Sequence, residues 1–121
     1  RQFFSPEHEG EPVTFDLVLL GMGTDGHTAS LFSRSELLAE KRRWVASDQV
    51  DQTTGWRVTL TPPAINAARQ VTFLVSGRAK AKTVQQVIRG PRQSRLLPAQ
   101  IVRPKSGNLT WLLDSEAAAL V

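Results

Sequence analysis

An apolar run that leads directly into a cluster of glycines is the feature that most constrains this chain. Residues 15–20 read FDLVLL, and Gly21, Gly23 and Gly26 follow at once. A short, nearly continuous apolar run is typical of a strand of a parallel sheet that is buried on both faces. The aspartate just before Gly26 is a suitable N-cap for a short helix that ends near Phe32. The segment therefore predicts a strand, a glycine loop and a short helix.

The rest of the chain alternates between strand-like and helix-like stretches. Apolar or β-branched runs predict further strands at residues 43–47, 57–61, 71–76 and 109–114. Start and stop signals predict helices or helical turns at residues 61–68, 77–90, 98–102 and 115–121. Residues 1–14 are polar and contain prolines, so we expect a loop there, with His8 exposed. The alternation predicts an α/β fold, a Rossmann-like layered sheet that is mostly parallel and has helices on both faces.

The helix expected at residues 77–90 has one apolar face. Its apolar side chains recur every three or four residues, which is the spacing of a buried helical stripe; they are Ala81, Val84, Val87 and Ile88. The glycines that follow the strands at residues 15–20 and 71–76 should lie at one edge of the sheet, where ligands of such folds bind. If those strands are neighbours, the loops bring Asp25, His27 and Lys80 close together.

Composition limits the kinds of site that this chain can carry. It has 121 residues, enough for one domain or a piece of one, and no cysteine, which excludes disulfides, thiolate nucleophiles and cysteine-based zinc sites. With His8 and His27 as the only histidines, we expect no metal site. The net charge of +4 favours an anionic partner, either a phosphorylated small molecule or nucleic acid. Without a long apolar run or a signal peptide, we expect a cytoplasmic protein that binds no membrane.

Two readings of the glycine loop compete at this point. Its glycines match the G-x-G-x-x-G fingerprint of dinucleotide-binding folds, and Asp48 follows at a suitable distance. Asp25, however, would place a carboxylate where the pyrophosphate belongs, and the helix behind it is short. The other reading is that His27, close to a carboxylate, moves protons. A histidine that only forms hydrogen bonds within a tight turn remains open.

The stretch DLVLLGMGTDGHTASLF closely resembles the signature of 6-phosphogluconolactonases, whose superfamily also holds glucosamine-6-phosphate deaminases. The resemblance continues through RVTLTPPAINAARQVTFLVSGRAKA, LPAQIVRP and LTWLLD, and it covers nearly the whole chain from residue 15 onward. Members of this family are roughly twice as long, with an N-terminal half that supplies a phosphate loop and an active-site arginine. The resemblance implies that residues 1–121 are a single domain, the C-terminal portion of the family's α/β domain.

The resemblance also implies chemistry for the glycine loop. His27 matches the family's general base, which would deprotonate the water that attacks 6-phospho-D-glucono-1,5-lactone and yields 6-phosphogluconate. Asp25 matches the aspartate of the motif and would orient His27 or the sugar hydroxyls. Gly21, Gly23 and Gly26 would let the backbone approach the substrate closely. A lactone is an activated ester, so this reaction needs neither metal nor cofactor.

Cations for the substrate phosphate are expected at two positions. Lys80 matches the family's phosphate-binding lysine, and Arg57 is a second candidate, although both could simply be solvated surface charges. Deaminase relatives carry a glutamate where this chain has Phe32, which favours lactone hydrolysis over deamination.

Two alternatives of other classes remain. A chain without the N-terminal half could be a non-catalytic sugar-phosphate-binding or interaction fragment, and a true truncation would expose part of the sheet, be poorly soluble and lack activity. The basic stretch RGPRQSRLLP could suggest nucleic-acid binding, but no aromatic residue interleaves there for base stacking, so none is expected.

Overall fold

A computed structural model describes residues 14–53 and 55–121. Within them the order of elements is β1 (Val18–Leu20), β2 (Val45–Asp51), β3 (Gly55–Leu60), α1 (Pro62–Asn66), β4 (Val71–Val75), α2 (Ala81–Arg89) and β5 (Leu109–Leu113). Short 3-10 segments cover Glu36–Ala39, Arg78–Lys80 and Pro98–Ile101. The loop expected over residues 1–14 and the exposure of His8 fall, except for residue 14, outside the described residues.

A three-stranded parallel sheet carries the fold. Strand β4 lies between β1 and β5, with Leu20 beside Phe73 and Phe73 beside Trp111. The Phe73 and Trp111 rings stack with centroids 4.0 Å apart. Strands β2 and β3 form a separate antiparallel pair, which adds an arm outside this sheet. The predicted α/β class with a mostly parallel sheet is confirmed, and β1 and β4 are the neighbours that a shared ligand edge requires.

One face of the parallel sheet is buried by the described residues, while the other is largely exposed. Alternate side chains such as Val18, Leu20 and Phe73 pack with Ile65 of α1 and Val84 of α2 in one core. Both helices lie on this side because successive right-handed crossovers that step the same way across a sheet fall on the same face. The opposite face presents exposed leucines, which are Leu17, Leu19, Leu74 and Leu112. The prediction that residues 15–20 form a strand buried on both faces is therefore wrong for the described chain.

Two predicted helices are absent, and in each place an aspartate side chain helps to close a turn instead. After β1, Gly26 and Ala29 take left-handed φ values of 84° and 50°, which no continuing α-helix can contain. After β5, the Asp114 carboxylate accepts from the backbone N–H of Ala117 at 2.8 Å, and the remaining residues form turns. Residues 25–32 and 115–121 were thus wrongly predicted to be helical, since capping residues also favour turns.

The two helices that do form match their start signals. Helix α1 begins after Thr61 with proline in its first turn, although the Thr61 hydroxyl donates to the backbone carbonyls of Arg43 and Trp44 rather than capping the helix. In α2 the predicted apolar stripe is partly wrong, because Ile88 is exposed and Thr83 is buried. Neither helix, nor any other in the part of the chain that the structure describes, is long and apolar enough to cross a membrane.

Candidate active site

The glycine loop at the carboxyl end of β1 is a closed turn. The N–H of Gly23 donates to the His27 carbonyl at 2.9 Å, and the N–H of Gly26 donates to the Gly23 carbonyl at 3.0 Å. These bonds put Asp25 at the tip of the turn. The turn therefore folds the short stretch from Gly23 to His27 back on itself and holds the Asp25 and His27 side chains together.

Asp25 and His27 form a directly hydrogen-bonded pair. The Nδ1 atom of His27 lies 2.6 Å from Oδ1 of Asp25, and the same oxygen accepts from the His27 backbone N–H at 3.1 Å. Partial burial raises the pKa of the Asp25 carboxyl, but the hydrogen bonds from His27 outweigh it, so the net pKa lies below the ordinary value of 3.8. An ionised carboxylate can only accept, so in the neutral imidazole Nδ1 carries the proton and Nε2 carries the lone pair. The His27 side chain is 32% exposed, within reach of a ligand.

Phe32 packs against the His27 ring. The two ring centroids lie 4.6 Å apart with an angle of 30° between the planes. The Asp25 carboxylate fixes the edge of the imidazole and Phe32 covers one of its faces. Together these contacts restrict the rotation of the ring about its side-chain bonds.

The structure shows why two of the three motif positions, Gly23 and Gly26, favour glycine over a residue with a side chain. A Cβ atom at Gly23 would collide with the His27 ring and lie 2.6 Å from the Asp25 carboxylate. Gly26 combines its positive φ with a neighbour, since a Cβ there would lie 2.8 Å from the Leu97 side chain. A Cβ at Gly21 would meet nothing within 4 Å. Close approach of a substrate to these glycines stays a prediction.

Lys80 reaches the glycine loop, as expected for neighbouring strands. It ends the 3-10 turn Arg78–Lys80 just before α2, and its Nζ donates to the carbonyl oxygen of Met22. An ammonium group carries three donors, and this bond uses one of them. The structure thus brings Lys80 to the loop that holds Asp25 and His27. Its role towards a phosphate remains a prediction.

Arg57 lies on the separate antiparallel pair. It is exposed in β3 and stands opposite Asp48 of β2, and among the described residues no hydrogen bond or ion pair joins it to Asp25, His27 or Lys80. Two residues further on, Thr59 accepts from the Ser30 N–H at 3.0 Å and so ties β3 to the segment after the motif. The strand that carries Arg57, the second candidate for binding the substrate phosphate, is therefore hydrogen-bonded to the segment that follows the motif.

Sequence reasoning missed Thr83 and Thr28, whose hydroxyls hold the loop. The Thr83 hydroxyl donates to the Thr24 carbonyl at 2.6 Å, and the Thr28 hydroxyl donates to the Gly21 carbonyl at 2.8 Å. The sequence did hold a sign of the role of Thr83, because it is a hydroxyl residue on the core side of a helix whose other inward residues are apolar. Across residues 14–53 and 55–121, no group of three or more His, Cys, Asp or Glu side chains could hold a metal ion.

Comparison with known proteins identifies the family. The profile of the family described as glucosamine-6-phosphate isomerases/6-phosphogluconolactonase matches residues 1–111. The chain belongs to this family. Human 6-phosphogluconolactonase is 44% identical over 109 residues, which are 88% of this chain and 42% of the human protein.

Solved structures of other proteins, a 6-phosphogluconolactonase among them, have the same fold. The crystal structure of devB protein is 35% identical with a TM-score of 0.84, and the match covers 96% of this chain and 48% of that one. The 6-phosphogluconolactonase of Trypanosoma brucei is also 35% identical, with a TM-score of 0.76 and coverage of 96% and 46%. The chain thus spans slightly less than half the length of the relatives that it matches.

Proposed function

We propose that this chain is the C-terminal portion of a 6-phosphogluconolactonase domain and supplies the general base of its reaction. The reaction is hydrolysis of 6-phospho-D-glucono-1,5-lactone to 6-phosphogluconate. The observation that carries the proposal is the 2.6 Å hydrogen bond between His27 Nδ1 and the Asp25 carboxylate, which leaves Nε2 as a proton acceptor. Membership of a family with named 6-phosphogluconolactonases at about 40% identity supports the substrate class.

The proposed reaction has two steps. Nε2 of His27 takes a proton from a water molecule while the water oxygen bonds to the lactone carbonyl carbon, which gives a tetrahedral oxyanion. The oxyanion then re-forms the carbonyl and breaks the bond from that carbon to the ring oxygen. The imidazolium returns its proton to the departing ring oxygen, so the immediate products are a hydroxyl group and a carboxylic acid, which then releases its proton to water to give the carboxylate. Asp25 stabilises the imidazolium that exists between the steps.

The substrate phosphate would be bound by cations at the same edge of the sheet. Lys80 is the first candidate because its ammonium group already lies against the Met22 carbonyl of the loop. Arg57 is the second, through the link between its strand and Ser30. Charge-assisted hydrogen bonds from lysine or arginine to phosphate are short and strong.

Lactone hydrolysis is favoured over deamination at this site. Phe32 occupies the position at which the resemblance places the deaminase glutamate, and its ring stacks on His27. A phenyl ring cannot exchange protons with a substrate. The second candidate function is a non-catalytic sugar-phosphate-binding fragment, for which the cation that Lys80 brings to the loop would suffice. Cytoplasmic location, absence of nucleic-acid binding and the roles of Gly21, Gly23 and Gly26 towards substrate stay predictions.

The test measures lactone hydrolysis in two polypeptides. One is the 121-residue chain, and the other is a chimaera in which the chain replaces the matching segment of human 6-phosphogluconolactonase. Each is assayed with freshly made 6-phosphogluconolactone, corrected for spontaneous ring opening. His27→Ala removes the proposed base, and His8→Ala makes the same replacement at the chain's other histidine.

We expect the chimaera to be active and its His27→Ala variant to be slower by about 10²–10⁴-fold, the usual contribution of general acid–base catalysis. The His8→Ala variant should retain the parent rate. A chimaera that is no faster than its His27→Ala variant would contradict the catalytic proposal. Binding of 6-phosphogluconate by an inactive chimaera would instead support the non-catalytic function.

A further inference from the structure

The carbonyl groups of the glycine loop are fixed by a series of hydrogen bonds. Four consecutive carbonyl oxygens, those of residues 21–24, each accept a hydrogen bond from a different donor. The Thr28 hydroxyl and the Gly26 N–H are donors from the loop segment itself. The other two donors are Lys80, which directly precedes α2, and Thr83, which lies in its first turn. The loop is therefore fixed to β1 at one end and to a helix that follows β4 at the other.

Thr83 differs from Lys80 in what else it can do. Thr83 is 6% exposed, so its side chain cannot touch a substrate, whereas Lys80 is partly exposed. A helical threonine commonly returns its hydroxyl to a carbonyl of its own helix one turn earlier. The Thr83 hydroxyl instead crosses to the Thr24 carbonyl at 2.6 Å, which belongs to the residue directly before Asp25. The bond thus constrains the peptide unit that leads into the catalytic pair.

We propose that Thr83 is a positioning residue, whose hydroxyl holds Thr24 and thereby keeps Asp25 and His27 in the geometry that catalysis requires. This inference rests on the proposed function for its kinetic consequence, but its structural consequence can be measured without activity. On the other side of Asp25 the Ala99 N–H donates to the Gly26 carbonyl at 2.8 Å, so the Thr83 bond is one of two that hold the backbone around Asp25, whose own side chain is more than half exposed. A loop that is no longer held at Thr24 can rotate the carboxylate away from Nδ1, and His27 then loses its fixed tautomer.

The choice of threonine at position 83 also fits this role better than a packing role. The neighbouring inward positions of α2 are Ala81 and Val84, both buried and apolar. Valine has nearly the shape of threonine and would fill the same space without bringing a hydroxyl into the core. A buried hydroxyl is costly unless it is hydrogen-bonded, so it is expected only where its bond is useful.

The test compares substitutions that separate the hydroxyl from the methyl group. Thr83→Val keeps the shape and removes the hydroxyl, while Thr83→Ser keeps the hydroxyl and removes the methyl. Thr72→Val is the matched control, because Thr72 is 7% exposed in the adjacent β4 and its hydroxyl oxygen only accepts a 3.3 Å bond from Gln70. The kinetic constants kcat and KM are measured in the chimaera. The chemical shifts of the histidine ring nitrogens are measured by NMR in the 121-residue chain, and the His27→Ala variant shows which signals belong to His27.

We expect Thr83→Val to lower kcat about tenfold with KM changed by less than about twofold, since a misplaced catalytic group affects the chemical step. Its His27 ring should show a mixture of tautomers, whereas Thr83→Ser and Thr72→Val should keep both the parent kcat and a single tautomer. If Thr83→Val does not fold, Thr83→Ala replaces it and should lose kcat where Thr83→Ser retains it.

Three results would overturn the proposal or separate it from the proposed function. Equal effects of Thr83→Val and Thr72→Val on kcat and on the ring shifts would overturn it, as would a loss of kcat in Thr83→Ser as large as in Thr83→Val. An inactive parent chimaera with a disturbed His27 ring only in Thr83→Val would refute the lactonase function and leave the positioning role supported.

Discussion

Gly23 leaves open the space that the His27 ring occupies. A Cβ atom built at position 23 collides with the imidazole and also lies 2.6 Å from the Asp25 carboxylate. The second glycine of the motif is thus required by the geometry of the Asp25–His27 pair. The glycine spacing of the loop matches that of a nucleotide-binding loop, but in the structure Gly23 makes room for two side chains of the protein itself.

Replacement of Gly23 by alanine should therefore break the Asp25–His27 hydrogen bond. We expect Gly23→Ala to lower kcat of the chimaera by about 10²-fold or more, the cost of removing a positioned base, while the far-ultraviolet circular dichroism stays unchanged. The His27 ring shifts in the 121-residue chain report the bond directly. Gly21→Ala is the structural control, because a Cβ there meets nothing within 4 Å, and it should leave those ring shifts as they are. Intact ring shifts in Gly23→Ala would contradict this account of the loop.

The Asp25 carboxylate should contribute to the free energy of unfolding at neutral pH and lose that contribution in acid. The hydrogen bonds from His27 outweigh partial burial and lower the pKa of Asp25 below 3.8 in the folded chain. A carboxyl group with a lowered pKa stabilises the fold above its unfolded pKa, and that contribution is lost as the pH falls through the folded value. At pH 7 the free energy of unfolding of Asp25→Asn should be lower than that of the parent by less than about 1 kcal/mol, since Asp25 is largely exposed.

Urea unfolding at pH 7 and at pH 2 measures this difference. We expect it to shrink towards zero in acid, and we expect His27→Ala to remove most of it at pH 7, because the carboxylate then has lost its partner. A difference between parent and Asp25→Asn that grows on acidification would show that Asp25 is not stabilised in its ionised form.

The same substitution should destabilise the fold strongly at Leu20 and hardly at all at Leu19. They are neighbours in β1, but Leu19 is 57% exposed and Leu20 is 7% exposed, on opposite faces of the sheet. Leu20→Thr should lower the free energy of unfolding by about 3 kcal/mol, as large-to-small changes in cores do. Leu19→Thr should change it by less than about 0.5 kcal/mol and should reduce binding of a hydrophobic dye, because it interrupts an apolar patch. Urea unfolding of the 121-residue chain measures both, and equal losses would show that the leucine face is covered.

Much of the architecture followed from local pattern. The apolar run before Gly21, the run at residues 71–76 and the stretch LTWLLD all became strands of the parallel sheet. Local pattern failed where one residue type suits two structures. The sequence predicts that Asp25 begins a helix, but its carboxylate accepts from the N–H two residues later and closes a turn. The residues after Asp114 formed turns for a similar reason.

The chemistry-bearing side chains were visible in the sequence, but their arrangement was not. The letters of the motif were enough to single out Asp25 and His27, which lie two residues apart, and to connect them with proton transfer. Exposure of Leu19 could not be read from an apolar run, since burial of a strand's second face depends on what packs there. Local sequence likewise carried no sign that Arg57 lies on an antiparallel pair, β2 and β3, outside the parallel sheet.

The sequence by itself determined the strands, the glycine loop that follows the first of them and the residues capable of acid–base chemistry, because these depend on side-chain type and on spacing of a few residues. Only the tertiary structure decided that β4 lies beside β1, and that Lys80 and Thr83 consequently reach the carbonyls of Met22 and Thr24. Those contacts join residues nearly sixty positions apart. Strand order and crossover handedness bring them together, and no short-range pattern encodes either one.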